Sequence, residues 1–322
     1  LDIQMPIMDG LTTLPDREVR TAASTQGNIS MAYKSINPAT GGTVAEFANH
    51  TDIEINNALA AADAVYRSDW SKGPINRRLD VLARLADRIE ARSEELATVA
   101  VREMGKRISE ARWEVAESAR IARHYASQAA AMLAPEKIGT GQGEAWVEFH
   151  PVGVLVAIEP WNFPFYQLLR VAAPAIAAGN PVLVKPAGIV PKSARLIEEL
   201  ILEAGAPKGA WTTVFASKDQ IAALLRDDRV QGVTLTGSEQ AGGAVAAEAG
   251  RNLKKSVLEL GGPDIFAVLD DADLDQAVEA GAASRLAGAG QVCTGAKRFL
   301  VHEKIADRFI EKLVRKFAAI RV

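Results

Sequence analysis

Between residues 152 and 260, apolar segments of strand length alternate with segments of helical periodicity, and this alternation constrains the fold more than any other feature. The predicted strands are residues 152–158, 182–184, 211–215, 232–235 and 256–260, and the predicted helices are residues 165–178, 192–204, 220–226 and 239–250. Such βαβ units have right-handed crossovers, which give a parallel sheet with helices on both faces. The sequence therefore predicts an α/β protein with a doubly wound parallel sheet.

Helical segments precede this alternation. Residues 79–99 carry one apolar stripe, which predicts a single long helix that ends at Gly105. Residues 108–133 form a second predicted helix, closed by Pro135, and residues 145–149 are predicted to be a strand. Together with the alternating part, these segments predict one domain over residues 31–260.

A further unit begins after residue 260. Residues 265–269 are predicted to be a strand, residues 270–273 to cap a helix, and residues 304–317 to form an amphipathic helix. We interpret residues 261–322 as the start of a second α/β domain that is truncated at Val322.

The first thirty residues differ in character from the rest of the chain. Residues 1–10 resemble the segment around the phospho-acceptor aspartate of a response-regulator receiver, with Asp2 in the acceptor position. A receiver needs parallel strands on both sides of that aspartate, and residues 11–28 supply no strand and helix alternation. We therefore predict that residues 1–30 are a disordered remnant of a fusion or of a misjoined reading frame, with Met31 as a candidate start.

Composition excludes several classes of function. Of the 322 residues, 48% are hydrophobic and 24% are charged, which is typical of globular proteins. Lys and Arg number 37 against 40 Asp and Glu, and the net charge of −3 argues against a nucleic-acid partner. A single cysteine fits a reducing, cytoplasmic environment. No apolar run approaches the ~20 residues of a membrane helix, and the four histidines lack metal-ligand spacing, so we predict neither a membrane nor a metal partner.

Polar residues follow several predicted strands at their carboxyl ends, where open α/β sheets bind ligands. Asn162 lies in a Pro-rich turn after the first strand and could donate an amide N–H to an anion, or simply hold the turn. Lys185 ends the second strand, where it could meet a cofactor or remain solvated. Gly237 and Ser238 open a helix that could accept a phosphate, although a simple N-cap by Ser238 is the alternative.

Two residues could supply covalent and acid–base chemistry. Cys293 lies in a turn of small residues, 288–295, that leaves room for a ligand, although a lone cysteine is often an inert buried residue. Glu259 lies within an apolar run at the end of a predicted buried strand. Burial raises the pKa of a carboxyl and suits it to act as a base, and a buried ion pair is the alternative.

Taken together, these motifs resemble the aldehyde dehydrogenase superfamily. The ordered motifs are residues 160–164, Lys185-Pro186, residues 236–238, residues 258–262 and residues 290–293, and residues 36–41 and 102–106 agree with them. Within the superfamily they are most similar to NAD(P)-dependent succinate-semialdehyde dehydrogenases. The resemblance extends over residues 35–322 and implies that residues 31–260 form a Rossmann-like, NAD(P)-binding cofactor domain.

The resemblance implies a mechanism. The thiolate of Cys293 attacks the aldehyde, and Asn162 together with the Cys293 backbone N–H holds the thiohemiacetal oxyanion. Hydride then passes to the nicotinamide. Glu259 draws a proton from the water that hydrolyses the thioester, which releases the acid.

The resemblance also implies the cofactor and substrate contacts. The residues carried over to NAD or NADP binding are Trp161, Asn162, Lys185, Pro186, Ala187, Gly188, Gly237, Ser238 and Leu260. Because Gly188 replaces a glutamate that many NAD-preferring members use, we expect both NAD and NADP to be accepted. Arg170 matches an arginine that pairs with the distal carboxylate of a semialdehyde, and a helix-surface arginine is the alternative. A second arginine of the family is replaced by Ala287, with Arg285 nearby.

Three functional hypotheses therefore remain open. The first is an aldehyde dehydrogenase that acts on a small carboxylated aldehyde. The resemblance also implies a homo-oligomer for full-length members of the family. The family continues beyond Val322, so the second is a catalytically inactive, dinucleotide-binding fragment. The third, a signalling receiver, rests on residues 1–10 alone.

Overall fold

The computed structural model describes residues 33–321. The receiver-like residues 1–10, and the whole predicted segment 1–30, lie outside the described residues. The strands, in chain order, are β1 (Tyr33–Ile36), β2 (Thr43–Phe47), β3 (Glu136–Ile138), β4 (Ala145–Val147), β5 (Val154–Ile158), β6 (Val182–Lys185), β7 (Trp211–Thr213), β8 (Val230–Thr236), β9 (Lys255–Glu259), β10 (Ile265–Val268) and β11 (Arg298–Val301).

The helices enclose these strands. They are α1 (Asp52–Arg67), α2 (Asp69–Lys72), α3 (Asn76–Ala91), α4 (Ser93–Met104), α5 (Ile108–Met132), α6 (Tyr166–Ala178), α7 (Pro191–Glu203), α8 (Lys218–Arg226), α9 (Glu239–Arg251), α10 (Leu274–Leu286) and α11 (Glu303–Ala318). Among residues 33–321, none of the helices combines the length and the apolar character that a membrane crossing requires.

The central sheet has five parallel strands in the order β7-β6-β5-β8-β9. The chain moves from β5 outward to β7 on one side and then returns to place β8 and β9 on the other, which is doubly wound topology. The predicted α/β fold class is therefore confirmed. Between residues 152 and 260, every predicted strand and helix is present, and their ends differ from prediction by at most two residues.

The central strand β5 is buried on both faces, as its continuous apolar run predicted. Ala157 projects into a core formed with α3, α5, α6 and α7, whereas Val156 projects into a second core formed with α1 and α8. Both side chains are fully buried. Side chains alternate between faces along a strand, so the parity of a residue number in β5 tells which helical layer it meets.

The prediction of one long helix over residues 79–99 was wrong. Arg92, with φ −106° and ψ 21°, separates α3 from α4. Its guanidinium binds Glu95 at 2.8 and 3.0 Å and Glu199 of α7 at 3.2 Å, contacts that fix the break. Ile89 and Leu96 on either side are both fully buried, so the apolar stripe crosses the break without a visible interruption. The predicted end at Gly105 is confirmed by its left-handed φ of 75°.

Short strands outside the central sheet were harder to predict. The sequence analysis missed the antiparallel pair β1–β2 and also β3, which pairs with β4 inside the predicted strand 145–149. All three residues of β3 are exposed, so it carries no alternating burial pattern.

The last part of the described chain is a separate small layer. Strands β10 and β11 pair in parallel, and α10 and α11 pack on them around Val268, Val278 and Phe309. The Asp273 side chain accepts hydrogen bonds from the backbone N–H groups of Asp275 and Gln276, which confirms the predicted acidic cap of α10.

Two buried glutamates hold the N-termini of neighbouring helices. Glu114 of α5 accepts hydrogen bonds from the backbone N–H groups of Phe165 and Tyr166, at 2.8 and 3.1 Å, and pairs with the buried Lys106. Glu103 of α4 likewise accepts hydrogen bonds from the start of α7. Carboxylates are stabilised at helix N-termini by free N–H groups and by the helix dipole. Glu114 and Glu103 therefore anchor the helices that follow β5 and β6, respectively.

Replacing Glu114 with glutamine should destabilise the fold strongly. The variant leaves the Lys106 ammonium buried without a counter-charge, and breaking a buried ion pair in this way costs about 3–5 kcal/mol. Urea unfolding measures the loss. Glu94→Gln, which breaks the exposed pair with Arg112, is the matched control and should leave the unfolding midpoint nearly unchanged. Equal midpoints for both variants would contradict this account.

Candidate active site

A pocket of about 480 Å³ lies between α5, α6 and the loop that carries Cys293. Cys293 and Arg170 both line it, and its walls include the aromatic side chains of Trp113, Phe163 and Tyr166. The Phe163 ring meets the other two edge-on, at centroid distances of 6.5 and 6.1 Å. The pocket is therefore apolar along its walls, with a thiol and a guanidinium among its polar groups.

The cysteine loop has an unusual backbone. Gly288, Ala289 and Gly290 all have positive φ, at 55°, 57° and 82°. Left-handed backbone is unfavourable for alanine, so the surrounding contacts must hold this turn. Glu110 of α5 accepts a hydrogen bond from the Gly288 N–H at 3.0 Å, and the Lys297 ammonium donates to the carbonyl of Cys293. These contacts present Cys293 half-buried at the pocket, so its sulfur is not an inert core group.

Asn162 connects the turn after β5 to the cysteine loop. Its Nδ2 donates to the carbonyl oxygen of Gln291 at 2.8 Å, two residues before Cys293. An amide nitrogen carries two hydrogens, so one N–H remains for a further acceptor. The structure thus brings Asn162 and Cys293 together, although they are far apart in sequence.

The prediction that Glu259 is buried was wrong. Its side chain is 55% exposed, because β9 is the edge strand of the central sheet and Val257 on the same strand is also 60% exposed. The Arg170 Nη2 atom lies 3.7 Å from Glu259 Oε1, and Arg170 Nη1 donates to Gln167 at 3.0 Å. Glu259 therefore lies beside the pocket through Arg170, which itself is not a free helix-surface side chain.

The buried carboxyl at this edge is Glu159, which the sequence analysis missed. Its side chain is 3% exposed, and burial raises its pKa to about 8, against smaller lowering effects of Thr236 and of the Arg170 charge. Neither carboxyl oxygen has a well-directed hydrogen bond within residues 33–321. The signal was present, since Glu159 directly follows the apolar run of β5, the central strand of the sheet.

The predicted cofactor residues lie along the carboxyl edge of the central sheet. Trp161 follows β5, and Lys185 ends β6, with Pro186, Ala187 and Gly188 in the turn after it. Gly237 and Ser238 connect β8 to α9, and Leu260 follows β9. Parallel strands bring all these turns to one edge, so the structure places the whole predicted set on one side of the domain.

Two of these positions have informative contacts. The Ser238 hydroxyl accepts a hydrogen bond from the Ala241 N–H at 3.2 Å and is the N-cap of α9, which is the simpler of its two predicted roles. A Cβ atom at Gly242 would lie 2.6 Å from a methyl carbon of Leu260. Glycine there lets the first turn of α9 approach the residue after β9.

Lys185 is partly buried without an acidic partner among the described residues. Its ammonium donates to the Pro186 carbonyl at 3.4 Å and lies 5.5 Å above the Tyr33 ring. Burial lowers its pKa, and the nearby Lys218 charge lowers it further. Such a cation is available for a hydroxyl or a phosphate at this edge.

Comparison with known proteins decides the family. The sequence matches the aldehyde dehydrogenase family over residues 25–322. The chain belongs to the aldehyde dehydrogenase family. It is 44% identical over 287 residues to the succinate-semialdehyde dehydrogenase [NADP(+)] of Deinococcus radiodurans, which covers 89% of this chain and 60% of that protein. It is 45% identical over 290 residues to the succinate semialdehyde dehydrogenase [NAD(P)+] of Escherichia coli, over 89% of this chain and 62% of that protein.

Solved structures agree with this assignment. The crystal structure of the succinic semialdehyde dehydrogenase from Streptococcus pyogenes, in complex with NADP+, is 43% identical and superposes with a TM-score of 0.87 over 90% of this chain and 64% of that one. This aldehyde dehydrogenase chain thus spans about 60–64% of the length of the relatives it matches.

The burial of Glu159 predicts a pH-dependent stability. Its pKa rises from an ordinary 4.5 to about 8, so between these values the folded chain keeps a proton that the unfolded chain releases. Stability is therefore lost as pH rises through this window. Glu159→Gln removes this loss. The melting temperature of the variant minus that of the unmodified chain should therefore increase as pH rises to about 8 and stay constant above that pH.

Thermal unfolding across this pH range measures the difference. The exposed Glu136→Gln is the control and should follow the unmodified chain at every pH. A gain for Glu159→Gln that does not change with pH would show that the carboxyl titrates normally in the fold.

Proposed function

We propose that this chain belongs to an NAD(P)-dependent dehydrogenase that oxidises a small carboxylated aldehyde, with succinate semialdehyde as the candidate substrate. The observation that carries the proposal is that Cys293 and Arg170 line the same pocket of about 480 Å³. A nucleophile and a guanidinium within one apolar cavity suit a substrate with an aldehyde at one end and a carboxylate at the other.

The chemistry begins at Cys293. Its thiolate adds to the aldehyde carbon, which forms a C–S bond and a negatively charged oxygen. The second N–H of Asn162, the one not donated to Gln291, is available to stabilise this oxygen, together with the backbone N–H of Cys293. Hydrogen bonding to Gln291 fixes the orientation of the Asn162 amide relative to the cysteine loop.

Glu259 acts in the second half of the reaction. Its carboxylate is exposed, so water can reach it without any rearrangement of the strand. By accepting a proton from that water, Glu259 makes the water a better nucleophile toward the thioester on Cys293, and hydrolysis releases the acid and the thiol.

The residues at the sheet edge fit a dinucleotide. A dinucleotide bound there would supply a hydride acceptor for the oxidation at the aldehyde carbon. Lys185, whose ammonium lacks an acidic partner among residues 33–321, would hold a ribose hydroxyl or a phosphate. The N-terminus of α9 after Gly237 would hold a phosphate. Because Gly188 adds no carboxylate to this turn, a 2′-phosphate meets no repulsion there, which supports the use of NADP as well as NAD.

A second candidate is a chain that binds the dinucleotide without turnover. The observation that favours it is the exposure of the catalytic carboxylate, since Glu259 and Val257 lie on an edge strand open to solvent. Hydrolysis of the thioester needs this carboxylate in a fixed position, whereas dinucleotide binding depends on the more buried strands β5 and β6.

Turnover separates the two candidates. The chain should reduce NADP and NAD when mixed with succinate semialdehyde, as followed by nicotinamide absorbance, and Cys293→Ala should lose at least about 10³-fold in kcat, because a nucleophile is removed. Calorimetric titration with NADP checks that the variant still binds the cofactor.

Each other outcome has a definite meaning. Binding of NADP without turnover would support the second candidate, and turnover that persists in Cys293→Ala would reject the proposed nucleophile. Comparison of kcat/KM for NAD and NADP tests the hypothesis that Gly188 allows both dinucleotides to be used. Strict rejection of NADP would overturn that hypothesis.

A further inference from the structure

Three polar residues lie side by side at the carboxyl edge of the sheet. Thr236 at the end of β8 is in register with Glu259 of β9. Ile158 of β5 is in register with Leu235, so Glu159 follows β5 at the level of Thr236. Residues in register along parallel strands project to the same face. Glu159, Thr236 and Glu259 therefore form a row on one face of the sheet.

Arg170 reaches this row from α6. Its Nη2 atom lies 3.7 Å from Glu259 Oε1, and its charge also acts on Glu159. The Glu159 carboxyl is buried, and neither oxygen has a well-directed hydrogen bond within residues 33–321. A buried carboxylate without such bonds depends on a nearby cation for its ionised form. Arg170 supplies that charge and also lines the pocket that contains Cys293.

We propose that Glu159 is a positioning residue that competes with the substrate carboxylate for Arg170, and thereby sets how strongly the pocket prefers anionic over neutral aldehydes. The proposal rests on the proposed function of the pocket. When Glu159 is protonated, Arg170 faces only the exposed Glu259 carboxylate, at 3.7 Å, and a ligand in the pocket can pair with its charge. When Glu159 is ionised, it neutralises that charge, and an anionic ligand loses its partner.

The burial of Glu159 places this change close to neutral pH. Its pKa is raised to about 8, so the protonated form predominates at pH 7 and the ionised form at higher pH. The pocket should therefore become less selective for anions as pH rises through about 8. Thr236, between the two glutamates, carries no charge, and its effect on the pKa of Glu159 is smaller than the effect of burial.

Other charged groups lie in or beside the same pocket, and their effects on its pH dependence must be distinguished from that of Glu159. Lys106 and Glu110 line it, and Glu259 lies beside Arg170. Burial lowers the pKa of Lys106, so its charge also decreases at high pH. All three groups remain in Glu159→Gln, and any pH effect that belongs to them persists in that variant.

The chain contains a single cysteine, so alkylation of Cys293 reports on the pocket without any turnover. Intact-mass spectrometry gives the alkylation rates with iodoacetate, which is anionic, and with iodoacetamide, which is neutral and of similar size. Both reagents react with the same thiolate, so the ratio of the two rates cancels the titration of the thiol. The ratio measures the preference of the pocket for an anion.

We expect the ratio for the unmodified chain to fall about threefold or more between pH 7 and pH 9. In Glu159→Gln most of this fall should disappear, so that only the part due to the other charged groups of the pocket remains, and in Arg170→Gln the ratio should be low at every pH. The exposed Glu136→Gln is the matched control and should follow the unmodified chain.

A ratio that is constant with pH in the unmodified chain would overturn the proposal, and so would an equally steep fall in Glu159→Gln. The assay needs neither cofactor nor substrate, so a chain without dehydrogenase activity still tests the role of Glu159. Conversely, turnover of succinate semialdehyde combined with a constant ratio would reject this role and leave the proposed function in place.

Discussion

The parallel pairing of β5 with both β6 and β8 determines where the candidate residues at the sheet edge lie. Because all strands of the central sheet run in the same direction, their carboxyl ends meet at one edge, and the turns with Asn162, Lys185 and Gly237 follow directly from them. The pairing also divides the chemistry between two faces. Lys185 is in register with Ile158, and both project to the face of α1 and α8. Glu159, which follows Ile158, projects to the opposite face, toward α6.

The buried carboxyl groups near the site and far from it differ in their hydrogen-bond partners. Glu103 and Glu114 accept hydrogen bonds from the N–H groups at the starts of α7 and α6, and Glu114 also pairs with Lys106. These carboxylates are satisfied by fixed partners and stabilise the scaffold. Glu159 lacks such bonds within the described residues and relies on Arg170, which is itself shared with Glu259. The least satisfied carboxyl of the three is thus the one beside the pocket.

Much of the fold could be predicted from the sequence, because apolar periodicity directly reflects which faces are buried. It succeeded for the strands and helices between residues 152 and 260 and failed at Arg92, where side-chain contacts break a helix whose apolar stripe continues. The same reasoning predicted a buried glutamate at a strand end, but it assigned the burial to Glu259, whereas the structure buries Glu159. Strand order explains the error: β5 is central and β9 is at the edge, and local sequence does not reveal that order. The contact between Asn162 and the cysteine loop joins residues 129 positions apart and could not be read from spacing either.

We propose that this sheet edge and the adjoining pocket form one site, in which the Cys293 thiolate adds to a carboxylated aldehyde and Glu259 assists hydrolysis of the resulting thioester. The most direct test is intact-mass spectrometry of Glu259→Gln, quenched in acid after mixing with NADP and succinate semialdehyde. Because hydrolysis of the thioester is slowed in this variant, we expect one succinyl group to accumulate on the chain. Peptide mapping should place this group on Cys293. A chain that binds NADP but carries no such adduct would contradict this proposal.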